Sequence, residues 1–78
     1  MVVNLLKEKQ MYPVYRSLNN EELLHDTYSN YRQAMREAIY LVRAGLSKKA
    51  TVQTATDIKT VVLGKNKTIY ISGQPLTN

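Results

Sequence analysis

The sequence predicts an α+β fold: a long amphipathic helix over residues 20–44, packed on a C-terminal antiparallel β-hairpin or three-stranded meander, with a short N-terminal element in front. Three observations predict it. A stripe of apolar side chains recurs at helical spacing through the middle of the chain. A run of Thr, Val and Ile fills the last third. Between them stands Gly45, a natural helix stop.

The N-terminal stretch to Leu18 carries Val2, Val3, Leu5, Leu6, Met11, Val14 and Tyr15. It reads equally as a short helix or an opening strand. Pro13 ends either one, because it lacks an N–H and restricts Tyr12. The helix has the clearest signature. Asn19 with Glu22 matches a capping box, and Leu18 with Leu23 matches the hydrophobic staple around it. Glu21, Glu22 and Asp26 put negative charge where the helix dipole favours it. Leu24, Tyr28, Tyr31, Met35, Ala38 and Val42 then stay within about 40° of one line at 100° per residue.

After Gly45 the β-branched residues favour strands. Residues 58–63 and 68–72 read as a hairpin around the loop Gly64-Lys65-Asn66-Lys67. Pairing Leu63 with Thr68 places Ile58, Val62, Ile69 and Ile71 on one face, the predicted core face. Residues 51–56 alternate weakly, as a third strand would, while a short helix from Ser47 competes there. The tail beyond Gly73 reads as frayed. The whole chain, 1–78, is one small domain, with no repeat or linker.

Composition narrows the function classes. Cysteine is absent and His25 is the single histidine, so disulfides and thiolate or His-rich metal sites are excluded. No cofactor is implied. Lys and Arg number 11 against 6 Asp and Glu, a net charge of +5. That balance favours acidic partners. No secretory signal or apolar span long enough for a bilayer is legible, so the expectation is a cytoplasmic, intracellular protein without a membrane partner. Catalysis is not expected. There is no thiol nucleophile, and in the predicted helix Asp26 points about 100° away from His25. Gly64-Lys65 lacks the first glycine and the following helix of a phosphate-binding loop.

The predicted helix bears a basic edge. His25, Arg32, Arg36 and Arg43 form one row beside the apolar stripe, with Ser29 next to it and Tyr40 pointing outward. Lys48 and Lys49 continue the charge past the helix end, and Lys65 and Lys67 tip the hairpin. These eight contact candidates (Arg32, Arg36, Tyr40, Arg43, Lys48, Lys49, Lys65, Lys67) suit the phosphates of a nucleic acid, or alternatively the surface of an acidic protein bound by an adaptor or inhibitor.

A self-association site is also expected. A helix of 25 residues is roughly 37 Å long, whereas a five-residue hairpin covers roughly 17 Å. Part of the stripe Tyr28, Tyr31, Met35, Ala38 and Val42 would then pack on a second copy in a homodimer. The expectation is therefore a small, non-enzymatic accessory or regulatory protein.

Overall fold

A computed structural model describes residues 11–76 of the chain. It is α+β as expected, but the helix packs against a six-stranded antiparallel sheet and not against the predicted hairpin or three-stranded meander, because residues before the helix and after Gly73 add strands. The strands are β1 (Tyr12–Leu18), β2 (Glu21–Tyr28), β3 (Lys49–Gln53), β4 (Ile58–Leu63), β5 (Ile69–Ile71) and β6 (Gln74–Pro75). The helix α1 (Tyr31–Arg43) lies between β2 and β3 in the chain. The order across the sheet is β2-β1-β3-β4-β5-β6. Both β2 and β3 run antiparallel to β1, so α1 crosses over β1 to join two parallel strands.

The predicted helix over residues 20–44 is thus corrected: its first half is a strand. Asn19 and Asn20 have φ of 53° and 67°. Two successive left-handed residues form the turn whose twist matches a β-hairpin, and Asn tolerates that conformation. The residues read as a helix cap therefore close the β1–β2 hairpin. The helix begins at a second cap, where the Asn30 side-chain oxygen accepts from Gln33 N at 3.1 Å. Asn30 and Gln33 carry the same Asn-x-x-Gln spacing that a capping box uses. The helix stop is where the sequence puts it. Gly45 takes φ 79°, Gly45 N donates to Val42 O at 3.1 Å, and Leu46 N donates to Leu41 O at 3.0 Å. That pair of bonds is the Schellman arrangement.

The C-terminal hairpin exists but is shifted by one residue. Leu63 pairs with Ile69 and Val61 with Ile71. The connection spans Gly64 to Thr68, with Asn66 and Lys67 left-handed at φ 59° and 60° and Gly64 N donating to Thr68 O at 2.7 Å. This longer loop moves Val61, not Val62, onto the core face. Residues 49–53 form a strand, so the short helix from Ser47 does not form. Gln74–Pro75, expected in a frayed tail, pair with β5. They follow a two-residue turn at Ser72 and Gly73, with φ of 52° and 86°. Pro13 lies inside β1, which continues through it. Val2, Val3, Leu5 and Leu6, which the sequence reads as a short helix or an opening strand, lie outside the described residues.

One face of the sheet meets the helix. Val14, Ala50, Val52, Val61 and Ile69 from the strands bury against Ala34, Ala38, Leu41 and Val42. The two alanines let the helix backbone lie close to the sheet, and the larger pair fills the space beside them. Of the stripe expected to self-associate, Ala38 and Val42 are fully buried in this core, and Tyr28 and Met35 are half-buried at its margin. Tyr31 packs edge-on against Tyr12, with ring centroids 5.5 Å apart. A helix of 13 residues is roughly 20 Å long. The six-stranded sheet covers it, so the excess length that called for a second copy does not exist.

Candidate nucleic-acid interface

Helical geometry sorts the charges of α1. At about 100° per residue, Glu37 falls roughly 85° to one side of the buried line, whereas Arg32, Arg43 and Arg36 fall roughly 135° to 175° to the other, toward the outward face. Glu37 faces β2, where its carboxylate lies 3.8 Å from His25 Nε2. The acids Glu21, Glu22 and Asp26 sit on β2 as well. Burial pushes the Tyr28 phenol above its ordinary value, and Glu37 and Asp26 add to the shift. The β2 side of the molecule is therefore acidic. His25, read as part of the arginine row, is not in it, and Ser29, read as lying beside it, precedes the helix: His25 belongs to the strand opposite that row.

The other flank is basic. Among the described residues, the ion pairs are His25–Glu37 and Lys59–Asp57, the latter at 3.2 Å. None involves Arg32, Arg36 or Arg43, and all three are exposed. Arg36 and Arg43 line a concavity of about 350 Å³ together with Ile39, Tyr40 and Leu76. Arg32 and Arg36 line a second, with Asn30 and Gln33. Arg36 is common to both, so the row is continuous along the helix.

The wall opposite the helix comes from the C-terminus. Leu76 N donates to Ile69 O at 2.7 Å, which holds the residue after β6 against the sheet. Ile39 and Leu76 were not singled out by the sequence. The Ser72-Gly73 turn was the available signal, since that dipeptide suits a tight hairpin and implies a returning strand.

The lysines divide. Lys49 pairs with Val62, so the loop after the helix and the β4–β5 turn lie at one end of the sheet. Lys48, in that loop, borders a concavity with Val42, Gly45 and Leu63. Lys65 and Lys67 occupy the turn. These three extend the basic surface beyond the helix C-terminus. Lys49 does not, because Ala50 and Val52 face the helix and their neighbour Lys49 must face the opposite side. No protein-family model, curated protein or solved structure matches the chain. Among the described residues no three His, Asp or Glu side chains gather as a metal site, and no helix is long and apolar enough to cross a membrane.

The open face of the sheet is the other large surface. It carries Tyr15, Leu24, Thr60, Val62 and Tyr70 around a buried Thr51, with Tyr15 opposite Thr51 and Val62 opposite Tyr70. An antiparallel sheet commonly leaves one such face to water. Glu22 there lies 3.5 Å from the Thr51 hydroxyl.

Proposed function

We propose that this chain is a small non-enzymatic accessory protein that binds nucleic acid through the arginine flank of α1. Arg32, Arg36 and Arg43 contact phosphates, and Lys48, Lys65 and Lys67 support them from the helix C-terminal end. The observation that supports this reading is the row of three exposed guanidinium groups with no carboxylate partner among the described residues. Arginine offers a planar fork of donors that matches phosphate oxygens, and it is weakly hydrated, so it releases water readily on contact. The acids gathered on β2 orient the molecule, turning the basic flank toward a polyanion.

The test is binding to duplex DNA, single-stranded DNA and RNA over a range of salt. Three neutralised phosphates give a slope of log affinity against log salt of about −2 to −3. Replacing Arg32 and Arg36 by Glu abolishes the binding while the circular dichroism spectrum stays the same. Absence of binding to all three polymers at about 50 mM salt overturns the reading and transfers the same flank to an acidic protein partner.

A further inference from the structure

The concavity beside α1 holds more than cations. Tyr40 is 55% exposed on the outer side of the helix, and Leu76 is 39% exposed on the wall facing it. Arg36 lies four residues before Tyr40 and Arg43 three after, so both share its face of the helix. Along the axis the two arginines stand about 10.5 Å apart, with the ring between them. The order along the groove is therefore cation, aromatic ring, cation, with Ile39 and Leu76 supplying an apolar border.

A nucleic-acid strand alternates charge and flat apolar surface in the same way. We propose that the groove between α1 and the β6 end of the sheet seats an unpaired base of a single-stranded nucleic acid against Tyr40, its flanking phosphates on Arg36 and Arg43. This rests on the nucleic-acid reading above and narrows it to one class of strand. A duplex satisfies the arginines through its backbone, but its bases are stacked on both faces and offer only their edges in the grooves. The ring and the leucine would then border water. An unpaired base turns a face to the tyrosine, and such stacking tolerates any base because each has a π-face. Leu76 limits the depth of the seat, and the short strand β6 is the element that places it there.

The chain has no tryptophan, so Tyr40→Trp introduces a single reporter at the seat. Titration with short oligothymidylate and oligouridylate tests DNA and RNA in separate arms. The expected result is saturable quenching of the tryptophan by at least one single strand, and little quenching by a duplex of the same length. Tyr40→Ala lowers the ratio of single-strand to duplex affinity roughly ten-fold or more, and Tyr40→Phe preserves it. Leu76→Asn lowers the same ratio, because a polar wall no longer packs against an unpaired base, while the charge beside Arg36 and Arg43 stays the same. Equal affinity for duplex and single strand that Tyr40→Ala leaves untouched overturns the base seat, although the phosphate contacts stand. Quenching by polyglutamate as strong as by the oligonucleotides also overturns it. Failure of every nucleic acid to bind overturns both readings.

Discussion

At Gly64, a single side chain explains why the position has none. A Cβ added there would collide with Tyr70 Cε1, although the backbone at φ −102° suits any residue. The Tyr70 ring lies across the bare backbone and covers it, as aromatic residues do for sheet glycines. Gly64→Ala forces that ring aside and destabilises the fold by about 1–3 kcal/mol. In denaturant unfolding, a Tyr70→Ala background should remove most of that penalty, and additive effects would sink the account. Asp57 offers a second test. Ile58 N donates to its carboxylate at 2.7 Å, and Lys59 Nζ lies 3.2 Å away. The backbone bond first, then Lys59, holds the carboxyl below the ordinary Asp range. The stability it contributes is complete above the unfolded pKa and is lost as pH falls through the lower folded one. Parent and Asp57→Asn should therefore differ in unfolding midpoint near neutrality and converge in acid. A difference that persists in strong acid would rule out the charged form as its source.

At the scale of elements, the two asparagine signals separate the hairpin from a longer helix. Asn30→Ala removes the cap of α1 and costs about 1 kcal/mol. Asn20→Gly is the sharper test. At the start of a helix it would cost about a few tenths of a kcal/mol, whereas in the left-handed turn observed here it is neutral or stabilising. Measured loss of stability in Asn20→Gly would contradict the left-handed turn at that residue. The β1–β2 hairpin is also tied to the rest of the molecule by one buried hydroxyl. Ser47 Oγ donates to Ser17 O at 2.7 Å, with the Lys49 carbonyl at 3.2 Å as a second acceptor. Ser47→Ala leaves that junction unsatisfied and should cost about 1 kcal/mol.

For the whole molecule, the position of each strand sets its local stability. Strands β1, β3 and β4 lie beneath the helix and carry Val14, Val52 and Val61, all fully buried. Residues 21–26 of β2 are exposed at the sheet edge. Amide hydrogen exchange should therefore be slowest in β3 and fastest in the two edge strands, β2 and β6. Uniform protection across the six strands would contradict this. What the sequence determined by itself is local: the stop at Gly45, the presence of a C-terminal hairpin, and the outward row Arg32, Arg36, Arg43. Each follows from interactions within about one helical turn or one tight turn, so neighbours in the chain suffice to decide it. The tertiary structure decided the rest. Glu21 to Tyr28 carry Leu24 and Tyr28 in step with the helical stripe, yet they pair with β1, because that strand offers a ladder of hydrogen bonds. The hairpin register turned on the length of the loop around Asn66, and one residue of slip exchanged Val61 for Val62 in the core. The Leu76 wall arose only when β6 returned along β5. Pairing and coverage of this kind join residues far apart in the chain, and no spacing along the sequence encodes which partner will be present.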